Sequence, residues 1–315
     1  MVPSILSQTK AKVVEALTAN PLGNVKFANV RFDVYNGSVI YYHDDIESFS
    51  ASIDSHPPEK ALMFPDNSNN TDIFQVLETF LNTTNIPLCG STALILTKRL
   101  TKINGRFPML QKLLDERITV HFIQSNYMPF GGVIGSTNDV SGYSGGLYVL
   151  TGTKRGLNDS MFPEVAEKIM QAPYLNNLFY SYYVNLPTRN VTDQPLNSLK
   201  VPSYMEEYVN VTLAITTDIF YGYDSYYFQS INLTLVDQDT QKSTSFSYDL
   251  GDLFSNTDLI YKTIQLKSGS NNNVFMTYRT RFSGWIQIRM YIDRAIPEDY
   301  QLIKDNFDKV SSLSN

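Results

Sequence analysis

Residues 142–146, GYSGG, match the pattern G-x-S-x-G, which carries the nucleophilic serine of many hydrolases. In such enzymes the serine lies between a preceding strand and a following helix, and a histidine later in the chain acts as the general base. Here the loop GSTNDV precedes Ser144 and the predicted strand LYVL follows it. All three histidines come earlier in the sequence, at His43, His56 and His121. The pattern therefore predicts a glycine-rich turn with positive φ and a close backbone approach, and a hydrolase using Ser144 stays as an alternative.

The other reactive side chains do not form a recognisable catalytic set. His121 lies within the predicted strand ITVHFI, and neither His43 nor His56 has a second histidine or a cysteine at metal-ligand spacing. Cys89 is the only cysteine, so an internal disulfide is excluded, and we expect a small buried side chain at this position. Residues 131–136, GGVIGS, lack the lysine of a phosphate-binding loop. The sequence therefore predicts no enzyme, no catalytic residue and no cofactor.

The composition excludes some classes of partner. The chain of 315 residues has a net charge of −6 at pH 7, which gives no electrostatic basis for nucleic-acid binding. No apolar run is long enough to form a membrane-spanning helix. The N-terminal segment MVPSILSQTKAKVVEALTAN lacks the continuous apolar region of a secretory signal, which by itself favours a cytosolic chain.

The acceptor sequences for N-linked glycosylation point in the other direction. With this content of asparagine, serine and threonine, about four N-x-[S/T] sequences would occur by chance, so the number present is a mild excess that hints at secretion. The acceptors are Asn36, Asn69, Asn82, Asn158, Asn190, Asn210 and Asn232. Asn210 and Asn232 fall on the predicted outward faces of their strands, where a glycan would be tolerated.

The first half of the chain, residues 1–172, alternates between helical and strand patterns. Helical segments such as TDIFQVLETFL and FPMLQKLLDER follow or precede strands such as VRFDV, STALILTKRL and ITVHFI. STALILTKRL is an apolar run of the kind that is buried on both faces of a parallel sheet. This order predicts a three-layer α/β domain with a mostly parallel sheet, in which VRFDV and SVIYYHD form a hairpin around Asn36-Gly37.

After Pro173 the hydrophobic period changes to two. Residues 173–204 have little periodicity and are predicted to be a linker, and residues 205–296 are predicted to form an antiparallel β-sandwich. In the strand WIQIRMYI the isoleucines alternate with polar and aromatic residues, so Arg289 is predicted on an exposed face. Residues 297–315 are predicted to form a C-terminal helix and tail.

The order of elements in the first half resembles a von Willebrand factor A-like domain, in which a stretch such as SGGLYVL introduces the last strand of the sheet. Segments such as FANVRFDV and DIFQVLETFLNTTNIPLCGSTALILTKR, with the aromatic second half, resemble more closely a nematode family of uncharacterised secreted proteins. In that family a degenerate A-like domain precedes a β-sandwich, sometimes beside C-type lectin or CUB-like domains. The resemblance spans most of the chain and implies an extracellular recognition role in adhesion or innate immune defence.

Two departures from the A-like pattern concern its cation site. The first strand, ending in D-x-S-x-S, is missing, so we expect an N-terminally truncated form or an incomplete gene product. The strand that normally ends in Thr-Asp-Gly ends here in TKR, residues 97–99, and the lysine opposes cation binding. Asp66 and Ser68 partly imitate the missing motif and form, with Thr97, an alternative cation site. One carboxylate supplies little charge, so a polar loop before the helix that starts near Asp72 is the favoured interpretation, and no metal is predicted.

These observations predict a non-enzymatic extracellular recognition or adhesion protein with a protein or carbohydrate ligand. Binding is predicted at the loops that follow the parallel strands, around residues 125–136, or on a tyrosine-rich face of the second domain. The tyrosines of that face are Tyr221, Tyr223, Tyr226 and Tyr227. Besides the hydrolase, the other alternative is a cation-dependent A-like domain that binds a partner carboxylate.

Overall fold

The structure is a computed structural model of the chain. It divides into two compact units, one comprising Met1–Gly152 and Leu157–Ala172 and the other comprising Thr153–Gly156 and Pro173–Asn315. The residues that the structure describes are 3–19, 25–34, 37–62, 71–84, 86–97, 107–125, 135–151, 161–171, 177–186, 190–217, 228–249, 259–280, 284–293 and 296. Among the described helices, none has both the length and the apolar character needed to cross a lipid bilayer.

The first unit alternates helices and short strands. Its elements are α1 Pro3–Ala19, β1 Phe27–Val30, β2 Ile40–His43, α2 Ile46–Ser55, a 3-10 turn Lys60–Leu62, α3 Ile73–Leu81, β3 Thr92–Thr97, α4 Phe107–Asp115, β4 Thr119–Ser125, α5 Gly135–Ser144, β5 Tyr148–Thr151 and α6 Phe162–Met170. Asp45 caps α2, because its carboxylate accepts a hydrogen bond of 2.7 Å from the Ser48 N–H, and this bond lowers the pKa of Asp45. Asp45 therefore stabilises the start of this helix.

Strands β3, β4 and β5 form a parallel sheet in that order, with α4 and α5 as the connections. The helix α1 packs against α6, and both α5 and α6 contact β4. The central strand β4 is buried over nearly its whole length, whereas residues 92–96 of the edge strand β3 are only half-buried. The prediction that STALILTKRL is buried on both faces is therefore wrong, because one side of β3 has no neighbouring strand among the described residues.

The predicted three-layer von Willebrand factor A-like domain with a mostly parallel sheet is also wrong. Most strands of the chain are antiparallel, and in the first unit only three described strands run parallel. The predicted antiparallel pairing of these two segments is confirmed, since β1 pairs with β2 and Val30 lies opposite Ile40. The predicted tight connection at Asn36-Gly37 is wrong, because β1 ends at Val30 and residues 31–39 connect the two strands. β1 and β2 pair only with each other among the described strands, so they form a sheet separate from the parallel one.

The second unit contains the remaining strands. They are β6 Leu178–Leu186, β7 Asn190–Pro195, β8 Leu199–Lys200, β9 Tyr208–Thr217, β10 Phe228–Asp237, β11 Ser243–Asp249, β12 Ile260–Lys267, β13 Asn271–Thr280 and β14 Gly284–Ile292. Residues 173–204, predicted as a linker, thus contain three strands. The predicted β-sandwich is present and begins before residue 205, at β6.

The order of strands in the two sheets of the sandwich is that of a jelly roll. One sheet has the order β11-β10-β13-β7, with the two-residue strand β8 also paired to β13, and the other has the order β12-β9-β14-β6. Each strand therefore has its sequence neighbour at the equivalent position of the opposite sheet, which is the arrangement of two interleaved Greek keys. The core lies between the sheets and contains the inward residues predicted for the last strand, Ile286, Ile288, Met290 and Ile292.

The strand β14 departs from the predicted alternation of buried and exposed faces, because both of its faces are buried. Arg289 is fully buried, and its Nη1 donates hydrogen bonds of 2.8 Å to the Tyr182 carbonyl and 3.2 Å to the Ile288 carbonyl. Burial lowers the pKa of the Arg289 guanidinium to about 10. The prediction of an exposed Arg289 is wrong, because the period of two shows which residues share a face and not whether solvent reaches that face.

We expect Arg289→Ala to lower the free energy of unfolding by about 3 kcal/mol, because it removes a packed side chain and two hydrogen bonds from a buried site. The matched control is Arg279→Ala, since Arg279 is an exposed arginine on β13, and its removal should change the value by less than about 0.5 kcal/mol. Chemical denaturation followed by circular dichroism measures both, and equal effects would contradict a structural role for the buried guanidinium.

Candidate functional site at the carboxyl end of the parallel sheet

Ser144 is the last residue of α5, and its hydroxyl forms hydrogen bonds with main-chain groups. Its Oγ accepts a hydrogen bond of 3.1 Å from the Val120 N–H and donates one of 3.4 Å to the Ser141 carbonyl. A helix precedes this serine where a loop was predicted, and the strand β5 follows as predicted. The order of a nucleophile elbow, strand then serine then helix, is therefore reversed around Ser144.

The glycines after Ser144 act through backbone geometry, as predicted. Gly145 has a φ of +82°, and a Cβ atom at Gly146 would lie 1.9 Å from the Val120 carbonyl oxygen. The next residue, Leu147, donates its N–H to His121 Nδ1 at 3.0 Å, and its carbonyl accepts from the Phe122 N–H at 2.8 Å. Because Nδ1 accepts this bond, it carries no proton. His121 is thus a buried strand histidine whose Nδ1 is hydrogen-bonded to the backbone.

All three parallel strands end in buried polar residues at the same edge of the sheet. Strands of parallel sheets are usually apolar along their whole length, so buried polar residues at all three strand ends are unusual. The carboxyl ends of parallel strands are also where α/β proteins place their ligands. We call this set, with two residues from the first turns of α5, the polar edge. Its members are Thr97, Gln124, Ser125, Thr137, Asn138 and Thr151, each at most 3% exposed.

The register of the strands decides which of these residues are neighbours. Thr97 pairs with Gln124 across β3 and β4, and Ser125 pairs with Thr151 across β4 and β5. Because paired residues of a parallel sheet project to the same face, Thr97 and Gln124 share one face, and Ser125 and Thr151 share the other. The polar edge therefore extends over both faces of the sheet at the end of β4.

Gln124 is the one member of this set with an unused hydrogen-bonding group. Its Oε1 accepts a hydrogen bond of 2.5 Å from the Tyr148 hydroxyl. Its Nε2 is buried and has no hydrogen-bond partner among the described residues. A buried amide that leaves its N–H groups unsatisfied costs about 1–3 kcal/mol, so such groups are rare unless a ligand or water completes them.

The chemistry of the polar edge is neutral. Its side chains are hydroxyls and carboxamides, which donate and accept hydrogen bonds, and none of them is a carboxylate or an ammonium group. Of the alternative cation ligands, Thr97 lies at this edge, whereas Asp66 and Ser68 lie outside the described residues. Within the described part of the chain, no group of three acidic, histidine or cysteine side chains is arranged to hold a metal ion.

The other predicted binding residues lie mostly outside the described ranges. Of the loop predicted around residues 125–136, only residues 125, 135 and 136 are described. The ligand-binding tyrosines Tyr221, Tyr223, Tyr226 and Tyr227 all fall in the undescribed interval between β9 and β10, so their role stays a prediction. Cys89 is exposed, so the prediction of a buried cysteine is wrong.

Four of the predicted glycosylation acceptors can be placed. Asn82, Asn190 and Asn210 are exposed, and Asn232 is half-buried with its Oδ1 enclosed between neighbouring strands. Asn210 donates from Nδ2 to the Asp293 carboxylate at 3.0 Å. Asn36, Asn69 and Asn158 lie outside the described residues.

Comparison with known proteins gives no family for the chain. No family model matches it, and no curated protein matches it. Among solved structures, it is similar to the sugar-binding C-terminal domain of EclA, with 12% identity, 36% of this chain and 78% of that chain covered, and a TM-score of 0.24. It is also similar to the carbohydrate-binding module CBM6cm-2 of Cellvibrio mixtus lichenase 5A in complex with cellotriose, with 11% identity, 38% of this chain and 98% of that chain covered, and a TM-score of 0.22. A third similar structure is the globular domain of a zebrafish complement 1qA protein, with 10% identity, 38% of this chain and 98% of that chain covered, and a TM-score of 0.23. Similarities at these TM-scores define neither the fold nor the function of this chain.

The sequence predicts binding in the loop around residues 125–136, which follows β4, and this stays a prediction. Gln124 is not among the residues that the sequence analysis selects. The signal for it is a glutamine directly after the apolar strand segment ITVHFI.

We expect Gly146→Ala to lower the free energy of unfolding by about 3 kcal/mol, because the added methyl group overlaps the Val120 carbonyl and pushes β5 away from β4. The matched control is Gly90→Ala, because Gly90 has a φ of +78° but nothing within 4 Å of its Cβ position. Its cost should be about 1 kcal/mol, from backbone conformation alone. Chemical denaturation measures both variants, and a Gly146→Ala cost no greater than the control would contradict the close approach.

Proposed function

We propose that the chain is a non-enzymatic recognition protein that binds a neutral, hydroxyl-rich ligand, a carbohydrate, at the polar edge of its parallel sheet. The observation that carries this proposal is the buried Nε2 of Gln124, for which the described part of the chain supplies no hydrogen-bond partner. A sugar hydroxyl or ring oxygen accepts a hydrogen bond from such an amide. Binding then recovers the free energy that the unliganded fold loses there.

The described side chains of the polar edge are neutral, which supports a carbohydrate over a charged ligand; Lys98 and Arg99, which follow Thr97, lie outside the described residues. A phosphate or carboxylate ligand calls for an arginine, a lysine or a cluster of N–H donors, and a divalent cation calls for converging carboxylates. The hydroxyls of Thr97, Ser125 and Thr151 donate and accept equally well, which suits the mixed donor and acceptor character of a sugar. Similar polar groups buried in an apolar frame fix the orientation of small ligands in many proteins.

Secretion is part of this proposal. The acceptor asparagines at 82, 190 and 210 are exposed, so N-linked glycans attached there would project into solvent without unfolding a strand or helix. A role in adhesion or host defence, which the sequence resemblance implies, is part of the same proposal. The protein would act outside the cell, where carbohydrates on other cells are accessible.

A glutamine-to-methionine substitution tests the proposed site, because methionine has a similar volume and no hydrogen-bonding amide. We expect Gln124→Met to abolish binding on an array of neutral and acidic glycans. The free energy of unfolding should change by less than about 1 kcal/mol, since the lost Tyr148 bond is offset by removal of the unsatisfied amide.

The matched control is Gln287→Met in the second unit. Gln287 is equally buried, but its Oε1 accepts a hydrogen bond of 3.1 Å from the Thr216 hydroxyl. This variant should lose about 1–2 kcal/mol of stability and keep its glycan binding. If the native chain binds no glycan, or if both variants bind as the native chain does, the proposed site is excluded.

A further inference from the structure

The edge strand β11 of the jelly roll has an open, exposed side. Ser243, Thr244, Ser245 and Ser247 are all exposed, and no described strand or loop pairs with this side of β11. The strand pairs with β10 in an unbroken antiparallel register from Ser243 to Asp249. The Asp237 N–H donates to the Lys242 carbonyl, so the main-chain N–H and C=O groups of the even-numbered residues of β11 point towards β10. The N–H and C=O groups of Ser243, Ser245 and Ser247 therefore face outwards.

Proteins usually protect such edges, and the other three edge strands of this jelly roll carry protection. β7 ends in Pro195, and its register with β13 is broken near Asp193, whose φ is +49°. In β6 every residue whose burial is described, that is all except residue 185, is buried or half-buried. β12 carries Lys262 between the inward residues Ile260 and Ile264, which places a charge at the open side of the core. β11 is exposed, and between Ser243 and Tyr248 it has no proline, no charged residue and no bulge. Among the described edge strands of the jelly roll, it is the one without such protection.

The position of Lys262 indicates which type of side chain a strand bound at this edge would carry. Its Nζ lies 5.8 Å from the centre of the Phe246 ring, which is the inward residue at the middle of β11. No carboxylate among the described residues pairs with this ammonium group. A residue added opposite Phe246 on a new strand would be a close, non-hydrogen-bonded neighbour of that ring, and its side chain would lie beside the Lys262 ammonium.

We infer that the open edge of β11 binds an extended segment of a partner protein by strand addition, and that this segment carries an aspartate or glutamate opposite Phe246. The outward N–H and C=O groups of β11 supply the main-chain hydrogen bonds, and Lys262 supplies the preference for an acidic side chain. A second copy of this chain fits less well, because a two-fold axis through β11 brings two Lys262 ammonium groups to the same side of the junction. This surface lies in the second unit, and its role does not depend on the proposed glycan site.

The test uses the full-length chain and short capped peptides of alternating threonine and valine with a central glutamate, glutamine or lysine. Fluorescence anisotropy should show that the glutamate peptide binds about threefold more tightly than the glutamine peptide, with the lysine peptide weakest. Amide hydrogen exchange should slow at Ser243, Ser245 and Ser247 when the glutamate peptide is bound. An otherwise identical peptide with N-methyl groups on its donating residues should not bind.

Two substitutions separate charge recognition from main-chain pairing. Lys262→Gln should remove the difference between the glutamate and glutamine peptides, whereas Lys267→Gln, at an exposed lysine of the same strand, should leave it unchanged. Ser245→Pro should abolish binding of every peptide without unfolding the chain, because the Ser245 N–H faces away from β10.

Three results would overturn the inference: no binding of the glutamate peptide, equal binding of the glutamate and lysine peptides, or slowed exchange at an edge other than β11. A dimer in sedimentation velocity that Ser245→Pro dissociates would show that the occupant is a second copy, and would also overturn it.

Discussion

The close contact between the turn at residues 144–147 and the strand β4 is the constraint on which the first unit depends. Ser144 accepts from Val120, Gly146 lies where no side chain fits, and Leu147 exchanges hydrogen bonds with His121 and Phe122. Together these contacts fix the register of β5 against β4. That register brings the Tyr148 hydroxyl to Gln124 and places Thr151 beside Ser125. The G-x-S-x-G pattern thus serves the geometry of the sheet, and through it the polar edge.

Buried polarity in the chain takes two forms with different consequences. Arg289 and Gln287 in the jelly roll are buried, but each has hydrogen-bond partners that belong to the fold, so their polarity is structural. The Gln124 Oε1 accepts a hydrogen bond from Tyr148, whereas its Nε2 has no hydrogen-bond partner among the described residues, so this amide can still donate to a ligand. The same comparison applies to strand edges, since three edges of the jelly roll are protected and one presents main-chain groups that no described strand pairs with. Unused hydrogen-bonding capacity in an ordered frame is the common basis of both proposed binding sites.

Local chemistry in the sequence predicted local structure well at the Gly145-Gly146 turn, where Gly145 has a positive φ and Gly146 leaves no room for a side chain. It failed where long-range packing decides. The pattern of VRFDV predicts a strand but not which strand it pairs with, so it does not show whether this segment joins the parallel sheet. Likewise WIQIRMYI predicts two distinct faces but not that both are buried, and residues 173–204 have little periodicity although β6 to β8 belong to the sandwich. Gln124 was missed for a similar reason, since only the fold shows that its amide has no partner.

The most direct measurement of the central claim is nuclear magnetic resonance of the Gln124 side-chain amide in glutamine-labelled protein, titrated with galactose, mannose and N-acetylglucosamine. The account predicts that the Gln124 carboxamide signal moves in a saturable manner with at least one of these sugars and that its protons then exchange more slowly with water. A Gln124 signal that stays in place while signals elsewhere move, or that stays in place with all three sugars, would contradict the account.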